Sequence, residues 1–320
     1  MRATITAMRI RLPPGLDEQR ELGPDWGHWL DRLPRLFVEM LDEWALTRDG
    51  QDLWHGFCSL VAPVISADGT RAVLKLTFDG DRESLHEGLV LQRWHGQGAV
   101  RLLRADPHRR AVLLERLDRR DLTQVSDLEA CQIVAGLYPK LHQPALPQLA
   151  PLTSYVSRWL DDLAAQPRDI PIPARYRDQA RSLGRDLASD PTSVDRIIHG
   201  DLHYQNVLAT PLDLRPDRGQ WLAIDPKPMS GDPHYEVAPM LWNRYDELAR
   251  DVRNGIQARF HTLIDHGSLD EDRTRAWVIV RMILNANWSV QDAQQARREL
   301  STQERAWVTR CITITKAVQD

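Results

Sequence analysis

The sequence predicts an α+β chain of two lobes, a small strand-rich one over residues 1–117 and a larger helical one over residues 118–320. Three observations carry that expectation. Apolar stretches at 57–65 and 72–78 flank Asp68-Gly69, a hairpin turn signal. A further apolar run, Ala111–Leu117, closes the same part of the chain. Beyond it, helix-like spacing dominates, interrupted by proline-containing joints at 144–151 and 167–173.

Composition narrows the class. A length of 320 residues exceeds one average domain, and 42% hydrophobic with 27% charged residues is ordinary for a globular protein in water. A net charge of −4 argues against a nucleic-acid partner, which usually selects a basic excess. Cys58, Cys131 and Cys311 are widely separated and form neither a zinc spacing nor a disulfide framework, so a reducing cytoplasm is expected. Residues 1–12 are basic but lack an apolar core followed by a small-residue cleavage site. No later stretch approaches the roughly 20 apolar residues of a membrane span.

Along the chain, Trp26, Trp29, Leu30, Leu33, Leu36, Phe37, Met40, Leu41 and Trp44 recur at helical spacing around Pro34, which predicts one or two helices packed on the first lobe. The segment 54–59 holds one glycine, Gly56, in place of a glycine-rich phosphate loop; its backbone amides and the Ser59 hydroxyl are what it offers a phosphate. Lys75 lies inside the apolar strand Ala72–Leu76, where an ammonium needs an acid partner. A helix over 82–97 supplies Glu83 and Glu87, four apart on one face, and Glu87 keeps phase with the apolar Leu91 and Trp94. Ser126-x-x-Glu129 and Ser301-x-x-Glu304 read as capping boxes. Helices are expected over 127–142, 152–165, 173–189, 235–250, 251–265, 271–290 and 301–318.

The chemistry concentrates in His199-Gly200-Asp201-Leu202-His203-Tyr204-Gln205-Asn206, between short apolar runs at 194–198 and 207–208. An Asp followed five residues later by an Asn is the spacing of a kinase catalytic loop, in which the Asp takes the acceptor proton and the Asn ligates magnesium. Nineteen positions after Asn206, the apolar run Trp221–Ile224 ends in Asp225, where a second metal ligand is expected. Two other readings compete. His199-x-Asp201-x-His203 also suits zinc, though that leaves Asn206 and Asp225 without a role. Alternatively, His199 and Asp201 only fix a turn.

On these residues the chain resembles the aminoglycoside phosphotransferase family, small-molecule kinases with a bilobal protein-kinase-like fold. The run Asp225-Pro226-Lys227-Pro228, with Gly231-Asp232-Pro233 and Tyr235-Glu236-Val237-Ala238, is similar to its streptomycin and hydroxyurea phosphotransferase branch. The resemblance implies ATP and Mg²⁺, with the nucleotide between the lobes. Asp201 is then the base, Asn206 and Asp225 the metal ligands, and Lys75 the phosphate cation held by Glu87. Glu115 and Leu117 would meet the adenine through main chain. A small, cationic hydroxyl acceptor is expected beside the acids Asp232 and Glu236, although Asp232 in Gly231-Asp232-Pro233 reads equally as a turn or helix cap. Asn285 and Trp288, about one turn apart on a helix, could face its ring, with core packing the favoured role for Trp288, and His203 lies near the phosphate; Asp246 and Glu247 read as a solvated face. A sugar or metabolite kinase is the alternative on the same fold, and an inactive nucleotide-binding protein a more distant one. Without a convincing Asp-Phe-Gly or Ala-Pro-Glu pair, a protein kinase is disfavoured.

Overall fold

A computed structural model of the chain describes residues 10–319, the side chains at 215 and 216 apart. Most of the basic N-terminal stretch read for a leader lies outside those residues. The chain divides into two compact units, one running up to Gly96 and including Val100–Leu117, the other comprising Gln97–Ala99 and the chain from Asp118 onward. Gln97–Ala99 joins the second unit through Ala99, which bridges Ala223, and through the Gly98 carbonyl, which accepts the Ala223 amide.

The first unit opens with α1 (Pro14–Asp17) and α2 (Pro24–Glu43), followed by strands β1 (Leu46–Arg48), β2 (Trp54–His55), β3 (Ser59–Ser66) and β4 (Arg71–Thr77). Helix α3 (Glu87–Trp94) precedes β5 (Leu102–Asp106) and β6 (Ala111–Glu115). The strands form an antiparallel sheet in the order β1-β3-β4-β6-β5, with β2 added to β3. The β3–β4 hairpin turns at Gly69, whose φ of +86° suits a residue without Cβ, and the Asp68 carboxylate accepts from Ser66 and Thr70 beside it. Leu60, Ala62, Leu74 and Leu76 pack against Leu30, Leu33, Phe37 and Met40 of α2. That buried face carries α2 through Pro34 as one helix, so the proline neither ends nor splits it. The next helix starts at Glu87 rather than near residue 82, because the Asp81 carboxylate accepts from the Glu83 amide and the Ser84 hydroxyl and fixes a turn there. Glu83 is therefore not on the helix.

The second unit holds α4 (Asp127–Leu141), α5 (Leu152–Ala164), α6 (Ala174–Ser189), α7 (Arg215–Arg218), α8 (Ala238–Trp242), α9 (Val252–Gly267), α10 (Glu271–Gln295) and α11 (Thr302–Ala317). Two small antiparallel ribbons interrupt the helices. Strand β7 (Arg196–Ile198) pairs with β10 (Met229–Gly231), and β8 (Val207–Ala209) with β9 (Trp221–Ala223). Helix α10 is buried on several sides at once, through Trp277, Val278, Val280, Met282, Ile283, Leu284 and Ala286. The capping box at Ser301 forms in full. At Ser126 the hydroxyl donates to the Glu129 carboxylate instead of accepting an amide, so the pattern is present without the cap. The single helix expected over 235–250 is replaced by 3-10 turns at Pro233–Val237 and Tyr245–Leu248 around α8. Pro239 opens α8, and Arg244, at φ +51°, interrupts the chain beyond it. Among the described residues, no helix is long and apolar enough to cross a membrane.

Arg259 ties these pieces together from a fully buried position on α9. Its guanidinium donates to Asp127 Oδ2 at 2.8 Å and to the carbonyls of Met240, Asn243 and Arg244 at 3.2, 2.7 and 3.0 Å. Arg259→Met preserves bulk and removes every donor, and is expected to cost about 3 kcal/mol, since the Asp127 charge and the carbonyls lose their partner together. Urea unfolding measures it; a midpoint unchanged from the parent protein would show that water replaces the guanidinium at no cost.

Candidate active site

The loop between β7 and β8 is fixed through the backbone around Gly200. Gly200 has φ +81°, and a Cβ there would sit 2.2 Å from the Lys227 carbonyl oxygen, so only glycine fits. Glu236, fully buried, accepts from the amides of His199 (3.2 Å) and Gly200 (2.8 Å). On the carbonyl side, Arg281 donates to Gly200 O at 2.6 Å and to Tyr235 O at 2.9 Å, with its guanidinium 4.1 Å from the Tyr235 ring centre. Burial opposes ionisation of Glu236, yet His142, His199 and the Gly200 amide hold its carboxyl below the usual carboxylate range.

The side chains that follow are set by this frame. His199 Nδ1 accepts the Asp201 amide at 3.3 Å, so Nε2 carries the hydrogen and donates to Ile224 O at 2.9 Å. Both ring nitrogens are engaged, which removes His199 from the zinc reading. Asn206 Nδ2 donates to the Asp201 carbonyl at 2.8 Å, and this leaves Oδ1 as the atom the amide presents. Asp201 Oδ2 lies 3.2 Å from Lys227 Nζ, a residue the sequence offered only as part of a run. Asp225 follows β9 at φ +57°, a left-handed conformation that Asp tolerates better than most residues. It stands next to Ile224, whose amide donates to Asn206 O at 2.9 Å. Two oxygen donors, the Asn206 amide and the Asp225 carboxylate, suit a hard cation such as magnesium rather than zinc.

His203 is tied into the loop itself. Its Nδ1 accepts the Gln205 amide at 3.3 Å and caps the turn leading to Asn206, while Nε2 is 3.2 Å from Asn206 Nδ2 and 3.8 Å from Asp201 Oδ1. The ring braces the loop. Burial lowers the pKa of both His199 and His203, so both are neutral at physiological pH.

In the first unit, Lys75 on β4 donates to Glu87 Oε1 at 2.7 Å, and both side chains are buried. Ser59 is 3% exposed at the start of β3, and its carbonyl accepts the Gly56 amide, which closes the segment as a tight turn. The exposed side chain of that turn is Phe57, 68% accessible, in edge contact with Trp26. Glu115 is drawn back onto Arg101, whose carbonyl takes its amide (3.0 Å) and whose amide donates to its carboxylate (2.7 Å). The Glu115 amide is thus not a donor for a base, and Leu117, also buried, ends the unit.

The acids expected to line an acceptor surface do not. Asp232 is 1% exposed and takes donors from Trp277 (2.6 Å), Arg273 (2.7 Å) and His234 (2.5 Å). Burial works against its charge, but the His234 and Trp277 bonds keep its carboxyl low. Like Glu236, it is internal framework. Asp246 and Glu247 pair with Arg310 and Arg244 on the surface. Asn285 is buried and Trp288 half-buried on α10. Sequence reasoning also missed Arg281 as a clamp, although its i, i+4 relation to Asn285 placed it on that face.

A β-rich unit with a buried Lys–Glu pair, and a helical unit with an Asp–Asn loop, define the protein-kinase-like fold. Choline kinase LicA from Streptococcus pneumoniae shares it at TM-score 0.59 and 15% identity, covering 89% of this chain and 99% of that one. So does the aminoglycoside phosphotransferase APH(4)-Ia in complex with ADP and hygromycin B, at TM-score 0.56 and 15% identity, covering 88% and 97%. The chain belongs to the aminoglycoside/hydroxyurea antibiotic resistance kinase family, whose pattern matches residues 43–293. It is 37% identical over 302 residues to streptomycin 6-kinase of Streptomyces glaucescens, spanning 92% of this chain and 95% of that protein. It is 36% identical over 287 residues to hydroxyurea phosphotransferase of Kitasatospora aureofaciens, spanning 86% and 79%.

Two outcomes follow from the loop geometry. Glu236→Gln swaps an acceptor for an amide beside two N–H groups, and should lower kinase turnover by about 10²-fold with little change in KM for ATP, because misplacing a reacting group by ~1 Å carries that penalty. Unchanged turnover would reduce Glu236 to a packing residue. The histidines set a pH dependence. Their folded pKa values lie below the ordinary 6.5, so as pH falls through 6.5 the unfolded chain takes protons that the folded one refuses. Stability should be full above that pH and decline below it, by up to about 1.4 kcal/mol per pH unit for each histidine. Urea titrations at several pH values test this, with His203→Asn expected to flatten the decline.

Proposed function

We propose that this chain transfers the γ-phosphoryl group of ATP to a hydroxyl of an aminocyclitol of the streptomycin kind, inactivating the antibiotic in the cytoplasm where ATP is supplied. The observation that carries the reading is the coupling of Asp201 and Asn206 through the Asn206–Asp201 carbonyl bond, which sets a proton acceptor and an amide oxygen at fixed separation on one loop.

In this reading Asp201 orients the hydroxyl and takes its proton as the bond to phosphorus forms. Lys227, whose Nζ lies 3.2 Å from Asp201 Oδ2, offers its positive charge to the negative charge building on the transferred group. Asn206 Oδ1 and Asp225 hold magnesium, which offsets charge on the phosphate oxygens when bound. Lys75, positioned by Glu87, neutralises the remaining phosphates. Glu236, Arg281, His199 and His203 touch no substrate and set where Asp201 stands.

The test is to incubate the protein with ATP, magnesium and, separately, streptomycin, other aminocyclitols, neutral sugars and hydroxyurea, and to look by mass spectrometry for an added phosphate. Streptomycin is expected to gain it. Asp201→Asn should cut turnover by about 10²–10⁴-fold while ATP affinity is retained. Asp225→Asn should abolish the magnesium dependence of ATP binding measured by calorimetry. Faster turnover of neutral sugars than of any aminocyclitol would instead support a metabolite kinase.

A further inference from the structure

With Asp232 and Glu236 internal, a cationic acceptor must find its attraction elsewhere in the second unit. Helix α10 leaves the catalytic loop at Arg281, which grips the Gly200 carbonyl at 2.6 Å. Asn285 and Trp288 follow at four and seven positions and share its face, with Trp288 about 10 Å further along the axis at ~1.5 Å per residue. Trp288 meets Trp159 of α5 edge-on, with ring centres 4.8 Å apart at 78°. Trp159 in turn stacks on Tyr155, one turn earlier, at 5.4 Å and 30°.

These three rings differ from the tryptophans of the core. Trp29, Trp94 and Trp277 are at most 2% exposed, whereas Tyr155, Trp159 and Trp288 all keep part of their surface open. The ring faces in this group already attract a planar cation, since the Arg158 guanidinium lies 5.4 Å from the Tyr155 centre. Asp162, three residues beyond Trp159 and seven beyond Tyr155, is a half-buried carboxylate on the same side of α5.

Resting on the phosphotransferase reading above, we propose that Tyr155, Trp159 and Trp288 form the specificity surface for the acceptor. They would hold a ring bearing guanidino or amino groups through their π-faces, with Asn285 supplying a hydrogen bond nearer the loop. The attraction comes from ring quadrupoles, which lose less to salt than exposed carboxylates do.

Steady-state kinetics on the full chain, with streptomycin as the probe, test this. Trp159→Leu and Trp288→Leu should each raise the streptomycin KM about tenfold, the scale of one cation–π contact, while the ATP KM stays within about twofold; Trp159→Phe should retain most of the affinity. Arg158→Ala, at an exposed position with no burden on folding, should lower the streptomycin KM by vacating the Tyr155 face and removing a like charge. In Asp201→Asn protein, which binds without turnover, streptomycin should quench tryptophan fluorescence, and Trp159→Phe should remove part of that signal. If the parent protein phosphorylates streptomycin but none of these variants changes its KM, the aromatic surface is wrong and the kinase assignment stands. If the parent protein phosphorylates no aminocyclitol, the proposed function itself fails.

Discussion

A buried carboxylate and a buried guanidinium grip the backbone at Gly200, one through amides and the other through its carbonyl, and the rest of the catalytic unit is arranged around that grip. Glu236 takes the amides of His199 and Gly200, and Arg281 takes the Gly200 carbonyl. Removing a carboxylate from water costs several kcal/mol unless donors replace the lost hydration. Two amides and the neighbouring histidines do so here, and the same bonds that offset the cost also choose a single loop conformation. The left-handed Gly200 lets the Lys227 carbonyl approach to a distance no side chain would allow. That approach carries the chain from β9 back beside the loop and brings the Lys227 ammonium to Asp201.

Legibility in the sequence followed the range of the interaction. Asp201 and Asn206 are five apart, and the bond that joins them is local, so spacing alone exposed it. Lys75 and Glu87 were recoverable because an ammonium inside an apolar strand demands an acid, and the nearby helix offered few. The β3–β4 hairpin was carried by Asp68-Gly69 between two apolar stretches. Asp232 does cap a turn, as Gly231-Asp232-Pro233 allowed, but its burial and that of Glu236 come from partners 36 to 45 residues away: the Gly200 amide for Glu236 and the Trp277 indole for Asp232. Nothing local distinguishes an acid that will be buried under a loop from one that will face solvent. The turn-capping contact of His203 was not legible for a smaller reason. An imidazole can cap a turn as readily as it can meet a phosphate, and which it does depends on whether backbone donors stand within reach, a fact of geometry rather than of spacing. The broken helix over 233–248 shows the same limit, since Asp232 caps a 3-10 turn before an α-helix can start.

Exposure sorts the charged groups of the second unit into two kinds of work. Glu236 and Asp232, both nearly inaccessible, bond to backbone and to fixed side chains and hold the frame. Asp201 and Lys227, with side chains 23% and 36% exposed, retain access to solvent and to a reactant. A fully buried carboxylate committed to two amides cannot take a proton without releasing the loop, so it cannot serve as a general base. A partly exposed one beside an ammonium can, because its oxygens remain open to a reactant.

This division puts two half-buried carboxylates, Asp201 and Asp225, at the reacting end, with Lys227 at Asp201 and Arg281 behind Gly200. In the proposed mechanism Asp201 takes the acceptor proton and Asp225 would hold magnesium, so both are committed to the reaction rather than to holding a cationic acceptor. On that proposal the acceptor is held at its far end, with only its hydroxyl reaching Asp201. The open rings on α5 and α10 stand in that relation, roughly two helical turns from Arg281. Ring faces attract a guanidinium while adding no net charge that would repel the nucleotide. On the proposed function, one helical unit would then recognise a positive substrate at its aromatic end and carry out phosphoryl transfer at its loop end.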